Sequence, residues 1–189
     1  MSGAAGRGGD AASVVLVGFM GAGKSTAGRA LAARCAVPFV DCDEVIEQEH
    51  GPIDAIFAEG GEQAFRSLEQ EVVLRALDEA LSSARVVALG GGAVTSEAVR
   101  RRLTAFAHVV WLDVPLEDAW CRVGAGEEAS RPLARDREAF AALFARRRAL
   151  YEEVAGVRVA AGDGSDVGAV VDEIVRATGV GVSAGAEAP

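Results

Sequence analysis

The chain is nearly without lysine. Of its 19 Lys and Arg residues a single one, Lys24, is lysine. A bias toward arginine that spares one position marks a place where a compact ammonium is needed and a planar guanidinium does not substitute. Cysteine is equally scarce. Cys35, Cys42 and Cys121 are odd in number and lack metal-ligand spacing, which excludes a disulfide framework and fits a reducing, cytoplasmic compartment. There is no basic surplus: the net charge of −9 argues against a surface that neutralises nucleic-acid phosphates. No apolar run reaches the roughly 18 residues of a membrane span. Neither nucleic acid nor membrane is therefore expected as a partner. His50 and His108 have no sequence partners and receive no role, and no internal repeat is present. Residues 1–12 are rich in Gly and Ala without an apolar h-region, so a disordered lead is expected rather than a signal peptide or anchor. Residues 179–189 read as a second such tail.

What is present fits one globular domain, expected over residues 13–178 and monomeric, with half of the residues hydrophobic and a quarter charged. Strand-like runs at 13–17, 38–40, 85–89, 108–114 and 157–160 alternate with helical patterns at 24–34, 45–49, 53–58, 62–81, 115–122, 137–153 and 167–177. A further helix is expected from a cap at Thr95 or Ser96 to about Leu103. Such alternation specifies an α/β fold of three αβα layers around a five-stranded parallel sheet, with ligands bound beyond the carboxyl ends of the strands. Residues 124–136 are charged and aperiodic and read as a mobile surface loop.

The strongest signal is Gly18-Phe19-Met20-Gly21-Ala22-Gly23-Lys24-Ser25-Thr26, which satisfies G-x-x-x-x-G-K-[ST] between a strand and a helix. Its glycines let successive N–H groups converge on phosphate oxygens at a helix N-terminus. Gly21, Ala22, Gly23, Lys24, Ser25 and Thr26 are thus the expected ATP site of a P-loop kinase fold, with Lys24 on the outer phosphates and Ser25 on Mg²⁺. The bland alternative is a chance glycine-rich turn. A GTPase of the usual kind is excluded, because Asn-Lys-x-Asp needs a second lysine and the only one in the chain is Lys24.

Other candidates each carry an ordinary alternative. Asp41 and Asp113 both end apolar runs and either could give the second Mg²⁺ contact. Asp41 is the favoured one, because Asp43 one step further could hold and deprotonate a bound hydroxyl, whereas Asp113 before Pro115 fits a helix-opening residue. Asp43 fits a helix N-cap equally well. Gly90-Gly91-Gly92 suggests a ligand pressed against bare backbone, or else a flexible connector. Arg66 and Glu69 fit a surface ion pair. Arg131-Pro132-Leu133 fits a lid arginine or a solvated charge, and Arg146-Arg147-Arg148 a solvated helix face.

Taken together these segments resemble shikimate kinase, a small nucleoside-monophosphate-kinase-like P-loop family, from about residue 14 to 177. The likeness rests on the loop at 18–26, Asp41-x-Asp43, Gly61-Glu62-x-x-Phe65-Arg66-x-x-Glu69, Leu89-Gly90-Gly91-Gly92-Ala93, Arg131-Pro132-Leu133 and Arg147-x-x-Leu150-Tyr151. The resemblance implies ATP-dependent phosphorylation of the shikimate 3-hydroxyl, the alternatives being a gluconate-type sugar-acid kinase or a non-catalytic nucleotide-binding module. It gives Lys24 and Ser25 to ATP and Mg²⁺, Asp41 to the metal through water, and Asp43 to the acceptor hydroxyls as candidate base. Arg66, Arg147 and the backbone at 90–92 would hold the acceptor carboxylate, Glu69 would orient Arg66, Phe57 and Phe65 would line the pocket, and Arg131 would come from a lid at 124–136. The stretch 122–131 is longer than the family's common lid and contains Glu127-Glu128, and 161–166 has no arginine or proline where the family closes over adenine.

Overall fold

The computed structural model describes residues 12–125, 136–162 and 164–181. Five strands, β1 (Val14–Val17), β2 (Phe39–Asp41), β3 (Val86–Ala88), β4 (His108–Asp113) and β5 (Val157–Ala160), form one parallel sheet in the order β2-β3-β1-β4-β5. Parallel strands are covered on both faces, so they read as continuous apolar runs rather than alternating ones. The central β1, Val-Val-Leu-Val, is buried at every position. The helices that cover the sheet are α1 (Lys24–Cys35), α2 (Cys42–His50), α3 (Ile53–Ser82), α4 (Glu97–Leu103), α5 (Leu116–Ala125), α6 (Arg137–Val154) and α7 (Val167–Thr178). None of the described helices is long and apolar enough to cross a membrane.

The strand order explains where a ligand can sit. The chain leaves β1 toward β2 on one side and later reaches β4 on the other, so connections diverge at the carboxyl end of β1 and open a crevice there. Register then sorts the strand ends. Leu16 is level with Ala88, Ala88 with Asp41, and Leu16 with Val110. Asp41 therefore stands beside the loop that follows β1, while Asp113 lies three residues beyond that level and pairs with Ala160 on the outer strand.

Several boundaries differ from the sequence pattern for physical reasons. Asp41 is the N-cap of α2, its carboxylate accepting from Asp43 N–H at 3.0 Å, so that helix begins at Cys42 and not at Val45. The two expected helices at 53–58 and 62–81 abut as α3, with their junction at Gly61, where φ is 71°. Ser96 caps α4 through Val99 N–H, and Thr95 belongs to a preceding 3₁₀ turn, Ala93–Thr95. Gly124 is helical, because α5 runs to Ala125, and Asp136 caps α6 through Ala139 N–H. The rest of the expected lid, with Arg131, and all but a few residues of the two expected tails lie outside the described residues.

Candidate active site

The loop after β1 is shaped by glycine. Gly21 and Gly23 have φ of 74° and 81°, in the left-handed region that side chains avoid. Gly23 is the N-cap of α1 and offers no side-chain cap, so the first N–H groups of the helix remain for an anion. Lys24 Nζ folds back to donate to the carbonyls of Gly18 at 2.9 Å and Phe19 at 3.0 Å. Ser25 Oγ donates to Asp41 Oδ2 at 2.6 Å. Two hard oxygen donors thus sit side by side at the mouth of the loop, which suits a Mg²⁺ ion held by one or two protein oxygens together with phosphate and water. No group of three or more His, Cys, Asp or Glu side chains placed to hold a metal ion occurs among the described residues.

A cleft of about 820 Å³ opens from this loop toward α3 and α6. Gly21, Gly23, Lys24, Ser25 and Thr26 wall its phosphate end, with Asp41 and Asp43 between the ends. Phe57, Phe65, Arg66, Glu69, Gly91, Gly92 and Arg147 wall the far end. Ala22 is buried and does not face the cleft. Gly90 does not wall it either. A Cβ there would stand 2.5 Å from Asp43 Oδ1 and 2.6 Å from Glu69 Oε1, so its bareness makes room for two carboxylates rather than for a ligand. At Gly92 a Cβ would fall on the Arg66 guanidinium.

The kink at Gly61 lets two halves of one helix face the same space. Phe57 precedes it and Phe65 follows it, and their rings stack with centroids 4.6 Å apart. Arg66 Nη1 donates to Glu69 Oε2 at 2.5 Å, and Glu69 is only 3 % exposed. This is a buried acid aiming a partly exposed arginine, not a surface pair of little worth. Glu62 stands 3.5 Å from Arg66 Nε on the other side.

Arg147 comes from α6. It is 5 % exposed, its guanidinium lies 5.7 Å from the Phe19 ring centroid, and its Nε has no hydrogen-bond partner among the described residues. Burial pulls its pKa below the ordinary value, and the nearby Arg66 cation pulls the same way. A buried cation with an idle donor, facing a second guanidinium across a cleft, is a seat for an anion that the protein itself does not supply.

The alternatives now separate. Asp43 is not a helix cap, because Asp41 is. Asp113 is neither a metal ligand nor a helix opener: it accepts from Arg148 and Arg158, with Arg158 Nε at 2.8 Å. Arg148 is thereby paired rather than merely solvated. Sequence reasoning gave no role to Asp54, Ile53, Met20 and Leu89, which also wall the cleft. Only Glu62 had a legible signal, its i, i+4 spacing to Arg66.

Four similarities to known proteins accord with this geometry. Residues 20–178 match the shikimate kinase family model. A shikimate kinase from Corynebacterium diphtheriae is 48% identical over 149 residues, which is 77% of this chain and 82% of the relative. The structure of a shikimate kinase from Acinetobacter baumannii in complex with shikimate superposes with a TM-score of 0.75 at 34% identity, over 87% of this chain and 89% of that one. A gluconokinase from Sinorhizobium meliloti shares the fold alone, at a TM-score of 0.55 and 16% identity over 89% of this chain and 91% of that one.

Proposed function

The chain belongs to the shikimate kinase family, and from that membership we propose how this cleft carries the reaction: ATP phosphorylates the 3-hydroxyl of shikimate, giving shikimate 3-phosphate and ADP in aromatic amino acid biosynthesis. The observation that carries the assignment of the acceptor end is buried Arg147 with its unpartnered Nε, opposite an Arg66 already aimed by Glu69. Two guanidiniums fit a planar carboxylate by their fork geometry. Phe57 and Phe65 give the acceptor ring an apolar wall, and Asp43 faces its hydroxyls.

ATP takes the loop at 21–26. Its phosphates replace the Gly18 and Phe19 carbonyls as partners of Lys24, which then bridges the outer phosphates as a point charge. Mg²⁺ would be held by Ser25 and Asp41 and would neutralise charge on the phosphates. The acceptor 3-oxygen attacks the γ-phosphorus in line, the bond from that phosphorus to the β-phosphate bridging oxygen breaks, and the hydroxyl proton passes to Asp43. Arg131, outside the described residues, is assigned as a further cation on the transferring group on the strength of its sequence motif. The reaction needs little covalent work from the protein; most of the acceleration comes from positioning and charge stabilisation. The catalytic unit spans residues 13–178 and acts as a cytoplasmic monomer on small molecules alone.

Calorimetric titration tests the acceptor assignment. Arg66→Lys and Arg147→Lys keep the charge and lose the fork, so each should weaken shikimate binding by roughly 1.5 to 3 kcal/mol and leave ADP binding unchanged. Equal losses for both ligands, or none for shikimate, would remove the carboxylate clamp.

A further inference from the structure

Tyr151 has no role in the assignment above, yet the acceptor end of the cleft leans on it. It is the only tyrosine of the chain and is 2 % exposed. It stands in the last turns of α6, four residues after Arg147, so the two side chains leave the same face of the helix. Its hydroxyl donates to Gly91 O at 2.6 Å. Its ring stacks on Trp111 of β4, with centroids 6.1 Å apart and planes 29° apart. Trp111 is covered in turn by the guanidiniums of Arg158 at 4.9 Å and Arg148 at 5.1 Å, both tied to Asp113. The phenol is held by that stack and has little freedom to turn.

A phenol carries one O–H proton, and here it is committed to Gly91. The Arg147 cation acts on the same phenol oxygen, and burial keeps the group protonated. In a trans peptide the C=O of one residue and the N–H of the next point in opposite directions. The bond that draws Gly91 O toward α6 therefore also fixes which way the Gly92 N–H points. Three successive glycines have no side chains to hold their peptide planes, so an outside anchor matters more here than in an ordinary loop. Gly91, Gly92 and Arg147 all wall the cleft.

We propose that Tyr151 is a positioning residue of the acceptor site: through its hydrogen bond to Gly91 O it sets the glycine-run peptides that, beside Arg147, receive the carboxylate of the acceptor. The proposal rests on the carboxylate assignment made under Proposed function.

Tyr151→Phe keeps the ring and its stack and removes only the hydroxyl. The expected result is a KM for shikimate raised about tenfold, a loss of about 1.4 kcal/mol, with kcat and ADP affinity nearly unchanged. The carboxamide of shikimate should show a much smaller rise, because it lacks the charge the peptides are set to receive. A lowered melting temperature with KM unmoved would make Tyr151 a packing residue only and overturn the proposal, as would an equal rise for acid and amide. Arg66→Lys, run in parallel, separates the two levels. If it raises KM and Tyr151→Phe does not, positioning alone fails; if neither does, the carboxylate assignment itself fails. Should the phenylalanine variant not fold, the unsubstituted protein still decides: the Gly92 amide resonance must shift with shikimate and not with ADP, and an unmoved amide overturns the proposal.

Discussion

Asp41 ends a strand, caps a helix and accepts from Ser25, so one carboxylate joins β2, α2 and the phosphate loop. Asp43, two residues on, is not the cap of that helix. Asp43→Asn should therefore lower kcat by at least about a hundredfold, the usual lower bound for a lost general base, while the melting temperature barely moves; steady-state kinetics with a thermal melt reads both, and an unchanged kcat with a lower melting temperature would return Asp43 to a structural role. Tyr151 gives a second prediction at this scale. Burial pushes its pKa well above the ordinary phenol value of about 10. Below that value folded and unfolded states both hold the proton, so stability is unaffected. Above it the unfolded chain ionises first, and stability falls as pH rises toward the folded pKa. Because the chain has one tyrosine, phenolate absorbance should appear only together with loss of native circular dichroism. Phenolate formed while the protein stays folded would contradict the buried, hydrogen-bonded phenol.

At the scale of elements, the phosphate loop was legible because its chemistry is local. Glycines, lysine and serine act within nine consecutive residues, and the flanking strand and helix were readable by pattern. α3 was legible in two pieces, since Gly60-Gly61 reads as a break, and the structure turns that break into a kink that serves the site. No atom would meet a Cβ at Gly61 within 4 Å, so Gly61→Ala costs only backbone strain at φ 71°. The expected loss is about 1 kcal/mol, with acceptor binding weakened because Phe57 and Phe65 are no longer held together; chemical denaturation and a shikimate titration check both. Gly92→Ala should be far more damaging to acceptor binding, as its methyl takes the place of the Arg66 guanidinium. Asp113 was misread for a reason of the same scale. Sequence shows that an acid follows an apolar run, but only strand register reveals that it stands beyond the loop and meets Arg148 and Arg158.

For the whole molecule, alternating strands and helices sufficed for an α/β fold, but not for the order β2-β3-β1-β4-β5, which depends on pairings between distant segments. That order is what brings α6 over the cleft and makes Arg147 a neighbour of Arg66. Among three consecutive arginines, helical geometry lets only one face a given direction, and composition cannot say which. The family motif picked Arg147, and the structure buries it while Arg148 binds Asp113. The choice of acceptor distinguishes shikimate from another sugar acid on the same fold. ADP release by the unsubstituted protein with Mg²⁺ and ATP, followed in a coupled assay with shikimate, gluconate or no acceptor, tests it most directly. Rapid release is expected with shikimate and background release with the other two; comparable release with gluconate, or release that does not depend on an acceptor, would remove shikimate as the acceptor.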